Sequence, residues 1–226
     1  MRTGTFALEI NMPCAGPIYA MVLALQMIRS GKYKRGLLVG CDRMSSFVDH
    51  SDFRMATLFG DGAGACIVEA SQGLGIEDFH LASKGEDMSN PALIIPGGKA
   101  AAPTISEAAP NKLLMNGKSV EAFIGSSFDD TILNLSKDNI DDLNKSIDHI
   151  VPHQASLRSI ESNIARSGLP VSKLIMTLYE YGNTSSASIY ITLDKLFSTN
   201  DMSDKRILIL GVGGGLNWGG LIYKHP

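Results

Sequence analysis

Residues 147–165 read Ile147-Asp148-His149-Ile150-Val151-Pro152-His153-Gln154-Ala155-Ser156-Leu157-Arg158-Ser159-Ile160-Glu161-Ser162-Asn163-Ile164-Ala165. The apolar run Ile147 to Val151 predicts a strand, and the apolar spacing from Ala155 to Ala165 predicts a helix. Pro152-His153-Gln154 places an imidazole at the strand's carboxyl end, where ligand sites of open α/β sheets form. The same alternation runs outward in both directions. Leu174 to Leu178 predicts a strand, Ser185 to Phe197 a helix, and Arg206 to Leu210 with Leu216 to Tyr223 two closing strands around a glycine-rich turn. Upstream, Gly75 to Ala82 predicts a strand, Lys84 to Lys112 a long loop, and Val120 to Leu135 a helix. Such alternation predicts a layered α/β architecture with largely parallel sheets.

The first part of the chain follows the same grammar. Thr5 to Ile10 predicts a strand, and Ile18 to Ile28 a helix apolar nearly all round and therefore buried. Gly31 stands where a left-handed residue would end that helix. Arg35 to Gly40 predicts a short strand buried on both faces. Phe59-Gly60-Asp61-Gly62-Ala63-Gly64-Ala65 lacks the spacing and the Gly-Lys-Ser/Thr ending of phosphate loops, and it leads into a strand, so close backbone packing accounts for it better. A second unit begins at Gly73 with the strand around Gly75 to Ala82, which divides the chain into residues 1–72 and 73–226.

Bulk properties exclude several classes. The 226 residues suffice for a large core in one or two units, and a formal charge of −3 gives no global attraction to nucleic acid or anionic membrane. Cys14, Cys41 and Cys66 form neither a CxxC pair nor a disulfide framework, which fits a reducing cytoplasm. No apolar run approaches a membrane span, and the start lacks a signal-peptide pattern. His149 and His153 straddle a strand end and Pro152, a poor arrangement for a metal. His50, His80 and His225 read as ordinary surface or loop residues, and Trp218 as core packing.

Three segments carry candidate chemistry. Cys14 lies where an apolar run turns into a helix, and the unpartnered amides of a helix start favour a thiolate, so its position predicts a lowered thiol pKa. His153 and, in Gly182-Asn183-Thr184-Ser185, Asn183 follow predicted strands. Gly211 to Gly219 is a glycine-rich turn that would let backbone amides approach a substrate. Singly each is weak: Cys14 could be one more small buried apolar residue, His153 could be structural, and Asn183-Thr184-Ser185 a helix cap. Together they suit thioester chemistry, because a thiol can accept an acyl group while a neutral His and a carboxamide stabilise an enolate. A papain-like use of Cys, His and Asn fits the strand-end placement less well.

Cys14-Ala15-Gly16, Phe59 to Ala65, Val151-Pro152-His153-Gln154-Ala155, Gly182-Asn183-Thr184-Ser185 and Gly213-Gly214-Gly215 with Trp218-Gly219 occur in an order and spacing that resemble the β-ketoacyl-[acyl carrier protein] synthase III enzymes of the thiolase superfamily. The resemblance covers essentially the whole chain. It implies a layered αβαβα thiolase-like fold whose halves are five-stranded sheets of order 3-2-1-4-5. It implies Cys14 as nucleophile, His153 and Asn183 as the decarboxylation pair, and the amides of Cys14 and Gly214 as the oxyanion hole. Arg158 matches a basic position that meets phosphopantetheine or carrier protein, Gly117 falls where the pantetheine arm passes, and Ser156 replaces an Asn that helps hold it. Glu121 replaces an aromatic residue near the ligand. Met12-Pro13 and Pro17 are further departures, of a kind that would alter the acyl pocket.

The implied reaction joins an acyl-CoA primer to malonyl-ACP, with no permanently bound cofactor and with acyl carrier protein as partner. Members of the family carry about 100 residues ahead of the cysteine, and 13 precede it here, so the first half is expected to be incomplete. This predicts a separate polypeptide supplying the missing N-terminal strands, a fragment of a longer chain or a mis-called start, and the resemblance implies a homodimer formed through Thr5 to Ile10 and the neighbouring helix. Two other readings follow: a non-catalytic complementing subunit, and an acyltransferase that does not decarboxylate.

Overall fold

Alternation of side chains along one strand shows how the molecule is layered. In Arg206–Gly213, Ile207 and Ile209 pack to one side with Ile18, Met21, Ile189 and Leu193, while Leu208, Leu210 and Val212 pack to the other with Ile124, Phe128, Ile160 and Ile164. A strand buried on both faces in this way must lie between two helical layers. The computed structural model describes residues 3–71, 75–86, 91–95 and 112–225. Within them the helices are α1 Gly16–Arg29, α2 Phe53–Ala56, α3 Gly117–Ser136, α4 Ile140–Ser146, α5 Leu157–Arg166, α6 Leu178–Tyr181 and α7 Ala187–Thr199. The strands are β1 Arg35–Asp42, β2 Gly62–Glu69, β3 Gly75–Ser83, β4 Leu93–Ile94, β5 Leu114–Met115, β6 His149–Pro152, β7 Arg206–Gly213 and β8 Asn217–Lys224.

The larger sheet runs β3-β8-β7-β6, with α3 and α5 on its outer face and α1 and α7 on its inner face. A single parallel bridge from Ile150 to Leu174 extends it beyond β6. Counted along the chain, these positions stand in the order 3-2-4-5-1, so the first strand lies at the edge, and the expected order 3-2-1-4-5 is corrected. Nor are the sheets largely parallel. Only β6 and β7 pair in parallel among the described strands, because β8 returns from β7 through a tight turn and runs against both neighbours. Leu174 to Leu178 contributes that one bridge and no strand, since Leu178 already begins α6.

On the far side of α1 and α7, β1 and β2 form an antiparallel pair. One face packs Leu38 and Cys66 against the two helices. On the other, Leu37, Val39 and Ile67 are 60%, 62% and 65% exposed, so β1 is half-buried and not covered on both faces. The order α1-β1-β2 repeats as α7-β7-β8, and the two central helices lie back to back between the sheets.

Two further expectations change. Residues 5–10 adopt no strand; no neighbouring strand among the described residues offers them a ladder, and Phe6 and Leu8 lie more than half exposed. Helix α1 is not buried all round, since Leu23 is 38% exposed. It does end as expected, with Gly31 at φ +77°. His80 is held in place: its Nε2 lies 2.7 Å from the Asp130 carboxylate, which also accepts from Trp218 Nε1–H at 2.7 Å and so ties α3 to β3 and β8. Most of the expected loop, residues 87–90 and 96–111, lies outside the described residues.

Candidate active site

The two central helices start at the same place, and that convergence builds the site. Helix α1 begins two residues after Cys14 and α7 four residues after Asn183. Cys14 and Ser185, 171 residues apart in sequence, meet with Sγ and Oγ 3.6 Å apart in a buried contact. Strand β7 approaches from the side. A Cβ on Gly213 would stand 2.9 Å from Ala15 N and 3.1 Å from Cys14 N, so only glycine lets this backbone reach the turn that holds Cys14.

The expectation of a lowered Cys14 pKa is overturned. Cys14 is 7% exposed, and burial pushes its thiol up to about 11 against the smaller lowering effect of the Ser185 hydrogen bond. The helix amides that would favour the thiolate start beyond Cys14, and loss of hydration outweighs them. The thiolate is therefore a minority form.

His153 is placed by the end of β6. Its backbone N–H donates to Leu210 O at 2.7 Å, and its Nδ1 lies 2.7 Å from Ser188 Oγ on α7. Burial drives its pKa down to about 4, so the ring is neutral near pH 7. Gln154, fully buried, ties the loop after β6 to the next one: its Oε1 accepts from the N–H groups of Thr177 and Leu178, and its Nε2 donates to Pro152 O. Asn183 is fixed from the other half of the chain. It forms a parallel bridge with Phe59, donates its N–H to Leu58 O at 2.9 Å, and accepts at O from Gly60 N–H at 3.0 Å. Its Oδ1 accepts from Ser185 N–H at 2.9 Å, which turns Nδ2 away from that bond. Neither Nδ2 of Asn183 nor Nε2 of His153 has a hydrogen-bond partner among the described residues.

The glycine-rich stretch 59–65 serves this placement. It enters β2, and a Cβ on Gly62 would stand 2.8 Å from Thr184, which agrees with the close-packing reading. Asp42, at the end of β1, accepts from both N–H and Oγ–H of Ser186 and pins the start of α7.

Cys14, His153 and Asn183 line one pocket of about 230 Å³, with Gly213, Gly214, Gly117, Ser156 and Glu121 and an apolar wall that includes Phe59, Leu93 and Phe123. Met12, Pro13 and Pro17 are not among its lining residues. Arg158 lies outside it, exposed on the first turn of α5 with no ion pair among the described residues. Sequence reasoning missed Ser185, Ser188 and Asp42. Ser185 holds φ +51°, a left-handed value rare outside glycine and enriched at functional sites. No group of three or more His, Cys, Asp or Glu able to hold a metal occurs among the described residues, and no described helix is long and apolar enough to cross a membrane.

Comparison with known proteins identifies the family and the fold. The family model described as 3-oxoacyl-[acyl-carrier-protein (ACP)] synthase III matches residues 8–85, and that of its C-terminal part matches residues 139–225. The chain is 36% identical to β-ketoacyl-[acyl-carrier-protein] synthase III 2 of Deinococcus radiodurans over 98% of its own length and 65% of that protein's. It is likewise 36% identical to the synthase III of Clostridium perfringens over 97% of its own length and 68% of that protein's. The crystal structure of 3-oxoacyl-(acyl carrier protein) synthase III from Pseudomonas aeruginosa PAO1 superposes with a TM-score of 0.85 at 28% identity, covering 99% of this chain and 68% of that one. The chain thus spans about two thirds of the length of the relatives it matches. With thiolase-type layering, a cysteine at one helix start and a histidine and asparagine facing it from the other repeat, the chain belongs to the 3-oxoacyl-[acyl-carrier-protein] synthase III family.

Proposed function

We propose that this chain carries out a decarboxylating Claisen condensation of an acyl-CoA primer with malonyl-ACP through an acyl-cysteine, giving a 3-oxoacyl-ACP. The observation that carries the reading is the convergence on one pocket of a buried thiol and two nitrogens with no hydrogen-bond partner among the described residues, His153 Nε2 and Asn183 Nδ2. In the first half-reaction Cys14 sulfur attacks the thioester carbonyl, the bond to coenzyme A sulfur breaks, and the thiol proton leaves with the coenzyme A thiolate. The amides of Cys14 and Gly214 are the donors for the oxyanion that forms. Because the thiolate is scarce at rest, the Ser185 hydroxyl and the first amides of α1 act on charge as it develops at sulfur.

In the second half-reaction the malonyl thioester loses CO2, and the bonding pair becomes an enolate whose oxygen receives hydrogen bonds from His153 and Asn183. A neutral imidazole suits that task, since a donor is needed and no proton need be lost. The carbanion then attacks the acyl carbon on Cys14 and expels the thiolate. Gly117 and Ser156 border the path proposed for pantetheine, and Arg158 is proposed to meet the acidic carrier protein. Residues 1–72 and 73–226 are the two halves in this reading. The bare face of Leu37, Val39 and Ile67 supports an assembled form, either a homodimer or a complex with a polypeptide that covers the β1–β2 pair.

The test is intact mass spectrometry after incubation with a panel of acyl-CoA thioesters, with C14A alongside, followed by release of CO2 from malonyl-ACP. A single acyl adduct dependent on Cys14, with CO2 release dependent on His153 and Asn183, is expected. Acylation with no CO2 release would favour the acyltransferase reading. A folded chain that takes no acyl group would favour the complementing-subunit reading.

A further inference from the structure

Behind His153, on the side away from the pocket, stands a serine that the reaction as proposed does not use. We propose that Ser188 is a positioning residue that selects the tautomer of His153, donating its hydroxyl proton to Nδ1 so that the single N–H of the neutral ring sits on Nε2. The argument rests on counting protons. Ser188 Oγ is buried, 2.7 Å from His153 Nδ1, and it accepts the Gln154 backbone N–H at 3.5 Å. With that lone pair engaged, the hydroxyl hydrogen needs an acceptor of its own.

A helical serine ordinarily returns its proton to the carbonyl four residues back, as Thr192 does here by donating to Ser188 O at 2.8 Å. Ser188 makes no such bond to Thr184, whose carbonyl accepts the Ala187 N–H instead. Nδ1 of His153 is the acceptor that remains among the described residues. A neutral imidazole whose Nδ1 accepts carries its proton on Nε2. The ring then faces the pocket as a hydrogen-bond donor and holds no free lone pair there with which to deprotonate Cys14. The chemical use of that donor rests on the proposed function, but the tautomer does not.

The test separates the two. Nitrogen-15 spectra of histidine-labelled protein, with the His153 signals identified by their loss in H153Q, report which ring nitrogen is protonated. The native chain is expected to show a protonated Nε2 and a hydrogen-bonded, unprotonated Nδ1. S188A is expected to shift the Nδ1 signal and admit the second tautomer, with malonyl decarboxylation falling about 10-fold, as when the partner behind an oriented histidine is lost. Cys14 acylation is expected to stay within about twofold, because Cys14's own hydrogen bond runs to Ser185. S188T, which keeps the hydroxyl, is expected to restore both signal and rate. A native ring protonated on Nδ1, or an S188A spectrum identical to the native one, overturns the proposal. The expected spectra in a chain that releases no CO2 would uphold the proposal and count against the proposed function alone.

Discussion

Replacing Gly62 by alanine tests whether the glycine-rich strand entry sets the position of Asn183. A Cβ there would stand 2.8 Å from both Cβ and Cγ2 of Thr184 and 3.3 Å from Cδ1 of Ile191. Carbon pairs rest at about 3.5–4.0 Å, so roughly 1 Å must be found between β2 and the start of α7. Thr184 is 1% exposed and β-branched, which leaves it little rotamer freedom for escape. The displacement therefore passes into the backbone of residues 183–185. Overpacking of this kind costs about 1–3 kcal/mol of stability, and a 1 Å misplacement of a reacting group about 10²-fold in rate. Urea unfolding of G62A, T184G and the double variant measures the first, and CO2 release from malonyl thioester the second. T184G removes the atoms that clash, so the double variant should be more stable than the sum of the single effects by about 1 kcal/mol or more. A G62A chain with native stability and native decarboxylation, or strictly additive energies in the cycle, would refute the reasoning.

Alkylation of Cys14, followed peptide by peptide, should rise about tenfold per pH unit to beyond pH 10, and at pH 8 run about 100-fold slower than at a thiol of ordinary pKa, because only the thiolate reacts; a plateau below pH 9 would mean that the helix amides outweigh burial. His153 takes up its proton near pH 4 when folded and near 6.5 when unfolded, so its contribution of about 3 kcal/mol is present above pH 6.5 and lost as pH falls toward 4. H153Q should therefore lose less stability over that window than the native chain in parallel urea titrations. R158E should raise KM for malonyl-ACP severalfold with little change for malonyl-CoA, since Arg158 is exposed and outside the pocket; equal effects on both substrates would remove it from the carrier-protein contact. V39K should leave the unfolding midpoint within about 0.5 kcal/mol of native and reduce self-association in sedimentation, because Val39 is 62% exposed on a bare sheet face.

His153 was legible in the sequence because it follows a strand end and precedes a helix, and Cys14 and Asn183 because each stands just ahead of a helix start, signals that are all local. Ile147 to Val151, Val120 to Leu135 and Arg206 to Leu210 announce themselves by period and composition, and their elements lie within a few residues of the expected bounds. Direction of pairing was not legible, since an apolar strand such as Leu37 to Val39 looks alike whether its neighbour runs parallel or antiparallel and whether one face or both are covered. Thr5 to Ile10 has strand composition, but a ladder needs a partner that no local pattern supplies. The Cys14 pKa failed for a related reason: the helix start is visible in sequence, whereas the burial that overrides it comes from Gly213 and Ser185, both remote along the chain. Ser188 was hidden inside a helix-forming run, where a serine carries no signal of what it faces.

The back-to-back pair α1 and α7 gives the molecule a division of labour. In the proposed reaction one repeat stores the electrophile, as an acyl group on the residue ahead of α1, and the other manufactures the carbanion, with donors set before α7 and after β6. The two jobs are joined, because Leu58 and Gly60 of the first repeat hold the Asn183 backbone by hydrogen bonds. Changes around Ser188 and Gln154 would alter how malonate is spent, and the contact of Asp42 with Ser186 is a second coupling through which a change in one repeat would be felt by the other.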